Sequence, residues 1–310
     1  NPAGGYVLKE IGIYEAKPMP KVADVILNMV PTNPINAMAT DNMLQIIVFA
    51  LFVGISISLI GEKGKPALDV FESIAEIMYK IVGIVMNFAP IGVFALIAWV
   101  VGTAGAEVLL PLARVIFVVY FVNILHAVIV YSGAVRIWAG MSPVQFFKGF
   151  FEAMAVAFST CSSSATLPIS MRCAQENLGV PKEISSFVQP LGATINMDGT
   201  AIYQGVCAVF IAGVFGIELG FSQYIMIIIA ATLASIGTAG VPGAGMIMLS
   251  MVLETVGLPL EGILLVAGID RILDMIRTCM NVTGDAAGAI VIAASEGELV
   301  RVTPEVAVGK

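Results

Sequence analysis

Long apolar stretches, separated by short charged segments, dominate the first half of the chain. Uncharged runs of 20, 26 and 21 residues occupy positions 42–61, 81–106 and 115–135. Because about 20 apolar residues cross a bilayer as an α-helix, each run predicts a transmembrane helix. The third run ends near Tyr131 and Trp138, aromatic residues of the kind that lie at membrane–water interfaces.

A helical pattern also covers positions 22–39, but Pro31 and Pro34 interrupt it in the sequence MVPTNP. Proline lacks a backbone N–H and breaks the interior of a helix. Short, kinked pieces are therefore expected ahead of the first span. The chain opens on a polar segment that starts at Asn1, so we expect it to be the C-terminal part of a longer membrane protein.

Small polar residues interrupt the apolar segments of the second half, where a simple spanning helix would be most hydrophobic. Positions 145–175 contain STCSSSATLP, and the 35 uncharged residues of positions 219–253 contain SIGTAGVPGAG. These patterns predict two re-entrant helical hairpins, at about 144–178 and about 222–255. A hairpin tip exposes backbone groups at membrane depth, which is tolerated only where protein or a ligand satisfies them. Two such interruptions are typical of a transporter binding site.

Basic residues cluster in one set of the predicted turns. They are Lys63, Lys65, Arg136, Lys148, Arg172, Lys182 and Arg301. The turns around Glu218 and from Glu254 to Glu261 hold only acidic residues. Because Lys and Arg are enriched in cytoplasmic loops, the first set of turns and the C-terminus are expected in the cytoplasm. The first hairpin then enters the membrane from the cytoplasm, and the second enters from outside.

The composition narrows the class of protein further. Of the 310 residues, 58% are hydrophobic and 12% are charged, whereas a typical soluble domain has about 25% charged residues. The predicted fold class is therefore an all-α polytopic membrane protein. A net charge of −7 argues against a nucleic-acid partner, and one histidine with four scattered cysteines offers no His/Cys metal cluster.

Five polar residues share one face of the last apolar segment, GIDRILDMIRTCMNVTGDAAGAIVIAAS. At 100° per residue, Asp270, Asp274, Arg277, Asn281 and Asp285 fall within an arc of about 80°. A charged side chain inside a membrane is costly unless it is paired or hydrated, so such a stripe indicates a functional site. A structural salt bridge between packed helices is the alternative.

A second polar element is LGATINMDGTAIYQG, in which Asn196, Asp198 and Thr200 alternate with other residues. The alternation predicts an unwound stretch over these positions. Free carbonyls together with Asn and Asp oxygens would suit a hard cation. The alternatives are a glycine kink with an aspartate paired across helices and, for the serines at 162–164, hydrogen bonds to their own helix.

Four motifs together resemble the glutamate/aspartate transporter family, the dicarboxylate/amino acid:cation symporters. They are SSSAT, NMDGT, GVPGAG and DRILDMIRTCMNVTGD, and the likeness covers positions 29–295. The resemblance implies a transporter, not an enzyme: a homotrimer whose protomers have eight transmembrane helices, broken helices and two re-entrant hairpins. A transport domain would slide past a trimerising scaffold in an elevator motion.

Matched to this family, the chain lacks the first three helices, including the third, which belongs to the transport domain. The expected domains are an extracellular loop at 1–21, scaffold helices at 22–101, a transport domain at 108–295 and a cytoplasmic tail at 296–310.

The resemblance also implies the substrate site. Arg277 matches the arginine that holds the side-chain carboxylate of the substrate, and Asp274 matches the aspartate that holds its ammonium. The implied substrate-binding residues are Ser163, Ser164, Thr200, Val241, Gly245, Asp274, Arg277, Thr278 and Asn281.

Co-transported sodium is implied in the same way. The residues of one site would be Gly192, Asn196, Asn281 and Asp285. Those of a second, built largely of backbone carbonyls, would be Thr194, Met197, Ser235, Ile236 and Thr238. A third site would use Asn196 and Asp198 together with residues of a helix that this chain lacks.

Three positions depart from the family pattern. Many members carry an arginine at the place of Cys161 or of Met275, and this chain has neither. Arg271, one turn before Asp274, is expected to substitute for this missing arginine. Gln204 stands where potassium- and proton-coupled members have a glutamate, so neither potassium counter-transport nor proton carriage through that position is expected.

Sodium-coupled symport of L-aspartate or L-glutamate across the cell membrane is therefore the expected function. A proton-coupled symporter of C4-dicarboxylates or acidic amino acids is the alternative within the class, because its anionic substrate also needs an arginine. From other classes, an intramembrane aspartyl protease using Asp198 and Asp285 and a ligand-gated anion pathway remain open. The protease would need two carboxylates that share a proton.

Overall fold

The computed structural model describes residues 30–40, 43–236 and 238–300, and these residues form helices and connecting turns, with no strand among them. The expected loop at 1–21 and most of the expected tail at 296–310 lie outside the described residues. Three helical stretches of the described part are long and apolar enough to cross a membrane, at 45–78, 106–137 and 182–214.

The first half of the described chain forms six α-helices. They are α1 (Pro34–Ala39), α2 (Met43–Ile60), α3 (Lys65–Met86), α4 (Ala89–Ala104), α5 (Leu109–His126) and α6 (Ser132–Ile137). The second half adds eight more. They are α7 (Pro143–Thr160), α8 (Ser163–Glu176), α9 (Lys182–Ile195), α10 (Asp198–Val214), α11 (Phe221–Ile236), α12 (Ala244–Thr255), α13 (Ile263–Ala267) and α14 (Asp270–Ser295).

The first and third predicted spans match helices, but the second does not form one continuous helix. α2 occupies the first run, and α5 with α6 occupies the third. In the second run, α3 continues past Lys80 and ends at Met86, and α4 starts afresh at Ala89. Because Pro90 cannot donate a hydrogen bond to the preceding turn, the helix breaks before it.

Large apolar side chains cover the outer faces of α2–α4. Leu51, Phe52, Leu59 and Phe94 are each more than half exposed. Exposed apolar surface of this extent is typical of helices that face lipid or partner helices.

α14 is the central helix of the second half, where one hydrophobic core fills the space between helices. α5, α7, α8, α9 and α10 all pack directly against it, and most of its residues are buried. The close approach depends on small residues: a Cβ at Gly199 would lie 2.4 Å from the carbonyl oxygen of Arg277. The start of α10 therefore sits directly on the polar stripe of α14.

Two pairs of helices pack side by side across a short tip. α7 and α8 join through Cys161 and Ser162 alone, so the predicted interruption across 159–168 is much shorter than expected, and Pro168 lies inside α8. The turn is possible because Cys161 adopts a left-handed conformation with φ 55°. α11 ends at Ile236, and its partner α12 begins at Ala244, as the glycine-rich sequence predicted.

Two local predictions need correction. Only Asn196 and Met197 separate α9 from α10, so Asp198 and Thr200 lie in the first turn of a helix instead of in an unwound stretch. Tyr131 is 4% exposed and packs in the core, not at a membrane interface, whereas Trp138 is 67% exposed. The reason is a π-helical turn at Ala127–Tyr131, which rotates Tyr131 inwards.

Candidate functional site

A small cavity lies where the two hairpin tips meet α14 and the break between α9 and α10. Its walls are Cys161, Ser163, Met197, Thr200, Thr238, Ala239, Gly240, Val241, Gly245, Asp274, Arg277, Thr278 and Asn281. The cavity therefore brings together the predicted substrate residues with one exception, Ser164. That residue lies beside the cavity, where its backbone N–H donates to the Gly240 carbonyl at 3.2 Å.

The guanidinium of Arg277 is buried and is held by two carboxylates. Its Nη1 donates to Asp270 Oδ1, and its Nε donates to Asp274 Oδ1, each at 3.0 Å. The Tyr203 ring lies below it, 4.4 Å from Cζ to the ring centroid. Gly245 covers another side, since a Cβ there would lie 2.8 Å from Cζ. Arg277 is thus fixed by packing and by charge, and breaking such a buried pair typically costs about 3–5 kcal/mol.

Asp274 connects α14 to the second tip. Its Oδ1 accepts a hydrogen bond from the Thr278 hydroxyl at 2.8 Å, in addition to that from Arg277. Its Oδ2 accepts from the backbone N–H of Gly243 at 3.0 Å. One carboxylate is therefore hydrogen-bonded both to the arginine and to the backbone of the second tip.

Arg271, which was expected to substitute for the missing arginine, makes no hydrogen bond to Asp274. Arg271 is exposed, and its Nη2 donates at 3.3 Å to the carbonyl of Ser159 in the last turn of α7. Thr278, Gly243 and Arg277 provide the hydrogen bonds to Asp274 instead.

The two tips are joined through one carbonyl group. The Gly240 oxygen accepts from the Ser162 hydroxyl at 2.8 Å and from the Ser164 N–H at 3.2 Å. Ser162 also caps α8 by accepting from the Ala165 N–H at 3.1 Å. The Ser162 hydroxyl therefore makes both contacts: it donates across the tips to Gly240, and it accepts from its own helix, as the alternative in the sequence analysis expected.

Beyond Arg277 on α14, a second polar region surrounds Asp285. Asn196 Nδ2 donates to Asp285 Oδ1 at 2.9 Å, and a Cβ at Gly192 would lie 2.4 Å from the same oxygen. Asn281 bonds to Thr200 instead, donating to its hydroxyl at 3.0 Å. Three of the four residues predicted for the first sodium site are thus in direct contact, with Asn281 one helical turn away.

The predicted second sodium set is only partly assembled by side chains. Met197 and Thr238 both line the cavity. The hydroxyls of Thr194 and Ser235 each donate to a carbonyl three residues earlier on their own helix. Ile236 is the last residue of α11, and the Ala234 and Ser235 carbonyls just before it accept hydrogen bonds from the hydroxyl and the N–H of Thr238.

Asp198 lies in a cluster that the sequence pattern did not identify. Its Oδ2 accepts from the Tyr131 hydroxyl and from Nε2 of His126, the latter at 3.1 Å. The five-residue spacing of His126 and Tyr131 places them on different faces of an α-helix, so no periodic pattern could have paired them. Asp198 and Asp285 have separate partners and share no hydrogen bond, which removes the geometry that an aspartyl protease needs.

The buried charges of the site do not balance. Asp270, Asp274 and Asp285 are each less than a tenth exposed, and Arg277 is the basic residue buried with them. Among the described residues, no three His, Cys, Asp or Glu side chains converge on one point. A cation bound here would be held by single carboxylates with amide, hydroxyl and carbonyl oxygens, the ligands that suit a hard ion such as sodium.

Gln204 lies beside the cavity. It is buried, and its Nε2 lies 3.4 Å from the Gly245 carbonyl. A neutral amide at this place carries no proton to release.

Comparison with known proteins agrees with the geometry. Residues 9–295 match the family described as "Sodium:dicarboxylate symporter family". The "Proton/sodium-glutamate symport protein" of Geobacillus stearothermophilus is 40% identical over 277 residues, which are 89% of this chain and 65% of that protein. The "Proton/glutamate-aspartate symporter" of Escherichia coli (strain K12) is 40% identical over 273 residues, 88% of this chain and 62% of that protein.

An animal protein also matches. "Excitatory amino acid transporter 3" of Homo sapiens is 42% identical over 252 residues, which are 81% of this chain and 48% of that protein. This chain thus spans less than two thirds of the length of each of these three relatives. The family match covers nearly all of the chain, and the chain belongs to the sodium:dicarboxylate symporter family.

Proposed function

We propose that this chain carries the binding site of a sodium-coupled symporter for acidic amino acids, L-aspartate or L-glutamate. The observation that carries the proposal is the pairing of Arg277 with Asp274 in a cavity closed by two hairpin tips. An acidic amino acid brings one ammonium and two carboxylates. Arg277 would bind the side-chain carboxylate, and Asp274 would bind the ammonium.

The second carboxylate would bind at the first tip. Ser163 and Ser164 form the amino-terminal turn of α8, where the positive end of the helix dipole favours an anion. Thr200, Thr278 and Asn281 would add hydrogen bonds. Val241 and Gly245 would close the second tip over the bound amino acid.

Sodium coupling follows from the charge imbalance. The buried carboxylates outnumber the one buried guanidinium, and the substrate adds a further net negative charge. Cations bound near Asp285 and Asp198 would offset this excess. They would also order the break at Asn196 and the second tip, so the substrate then meets a preorganised site.

An elevator motion suits the way in which the helices pack. α5 and α7–α14 share one core, whereas α2 and α4 touch it at α12 and α13. The proposed scaffold at 22–101 and transport domain at 108–295 divide along this seam. A homotrimer, a cytoplasmic C-terminus and re-entrant hairpins in the cell membrane belong to the same proposal.

A competition assay with the product of the complete gene tests the substrate. Sodium-dependent binding of radiolabelled L-aspartate should be displaced by L-glutamate but not by alanine, which has no second carboxylate. Displacement by succinate as strong as that by glutamate would contradict the role of Asp274. It would support the second candidate, a C4-dicarboxylate carrier, which the name of the family favours.

A further inference from the structure

The end of α5 and the turn after it bring two side chains onto one oxygen of Asp198. The Tyr131 hydroxyl and His126 Nε2 both donate to Asp198 Oδ2, the latter at 3.1 Å. The other oxygen, Oδ1, accepts from the Gly199 N–H at 2.9 Å. Donors from two helices therefore fix both oxygens of this carboxylate.

A π-helical turn makes this arrangement possible. At its end, the Ser132 N–H donates to the Ala127 carbonyl, five residues earlier. Residues five apart in an α-helix point about 140° away from each other, whereas a π-helical turn, with its hydrogen bonds between residues five apart, brings them closer to one face. The rings of His126 and Tyr131 accordingly meet edge to face, with centroids 4.9 Å apart. Single π turns inside helices occur frequently at functional sites.

Residues of α14 pack closely around the contact between Tyr131 and Asp198. The Tyr131 oxygen also lies 3.0 Å from the Met280 carbonyl. A Cβ at Gly284 would lie 2.9 Å from the Tyr131 oxygen and 3.2 Å from Asp198 Oδ2. Glycine at this position of α14 thus allows the hydroxyl and the carboxylate to meet.

We propose that Tyr131 and His126 are positioning residues that hold Asp198 in the orientation that binds sodium. The inference rests on the proposed function. It gives a role in sodium binding to two residues outside the substrate cavity, His126 at the end of α5 and Tyr131 in the turn after it. Residues that orient a metal ligand typically change metal affinity by about 10- to 100-fold when they are lost. Because neither residue lines the cavity, the loss should fall on sodium and not on the amino acid.

Tyr131→Phe tests the inference because it keeps the ring and removes the hydroxyl. The sodium concentration that half-saturates L-aspartate binding should rise about tenfold. The affinity for L-aspartate at saturating sodium should stay within a factor of about two of wild type, whereas a general loss of packing would lower it too. Tyr120→Phe is the matched control, since Tyr120 lies on α5 before the π-helical turn and donates to the Ile272 carbonyl at 2.9 Å.

Substitutions at His126 provide an independent test. His126→Leu should raise the half-saturating sodium concentration, and His126→Gln should restore much of the loss because its amide supplies a donor. A half-saturating sodium concentration that is unchanged or lower in both Tyr131→Phe and His126→Leu would overturn the inference. The proposed function would still stand in that case, provided that wild type binds L-aspartate in a sodium-dependent way. Wild-type binding of L-aspartate without any need for sodium would overturn both.

Discussion

Gly192→Ala is expected to weaken sodium binding by forcing Asp285 away from its present place. The new Cβ would lie 2.4 Å from Asp285 Oδ1 and 2.7 Å from its Cγ, where ordinary contacts begin at 3.4 Å. The carboxylate must therefore retreat by about 1 Å, which breaks its 2.9 Å hydrogen bond from Asn196. The half-saturating sodium concentration for L-aspartate binding should rise about 10- to 100-fold.

Gly205→Ala is the matched control for this substitution. Gly205 also lies inside a helix of the same region, but a Cβ there meets no atom within 4 Å. The control should bind sodium as wild type does and gain about 0.5–1 kcal/mol of helix stability. The assay is L-aspartate binding by titration calorimetry over a series of sodium concentrations. A Gly192→Ala protein that is folded and has the sodium dependence of wild type would refute the assignment of Asp285 as a sodium ligand.

Three further substitutions test the substrate site and the tips. Asp274→Asn should lower L-aspartate affinity by at least about 100-fold, because it weakens both the charged hydrogen bond to the ammonium and the contact with Gly243. Binding isotherms that match wild type would contradict this. Ser162→Ala should weaken L-aspartate binding about 5- to 30-fold, because it removes the bond to Gly240 and the cap of α8, together about 1–2 kcal/mol. An unchanged dissociation rate would argue against a closed-tip role. Arg271→Met should change L-aspartate affinity by less than about fivefold because its contact is exposed and reaches only a carbonyl, and a larger loss would mean that Arg271 acts on the substrate directly.

The sequence is informative about the site where chemistry and periodicity coincide. The polar stripe of α14 follows from the helical period, and the structure brings Arg277, Asp274 and both tips to one cavity. The two tips were predictable because serine-rich and glycine-rich runs interrupt otherwise apolar segments. Prolines were less decisive: Pro168 stays inside α8, whereas Pro90 sets the break between α3 and α4.

The contacts of Asp198 could not be predicted from the sequence. His126 and Tyr131 are five residues apart, and only a π-helical turn places them on one face. Nothing in the apolar sequence AVIVY signals such a turn, and the contacts of Tyr131 with Asp198 on α10 and Met280 on α14 join residues far apart in the sequence. The contact of Arg271 could not be predicted either, since spacing along α14 does not reveal that its side chain reaches back to α7.

The most direct test of the central claim is uptake of radiolabelled L-aspartate into liposomes that contain the product of the complete gene. An inward sodium gradient is compared with an inward proton gradient at equal membrane potential. The sodium gradient is expected to drive accumulation, and the proton gradient alone is not. Uptake driven by the proton gradient without sodium would contradict sodium coupling, because the oxygen ligands around Asp198 and Asp285 would then not serve sodium binding.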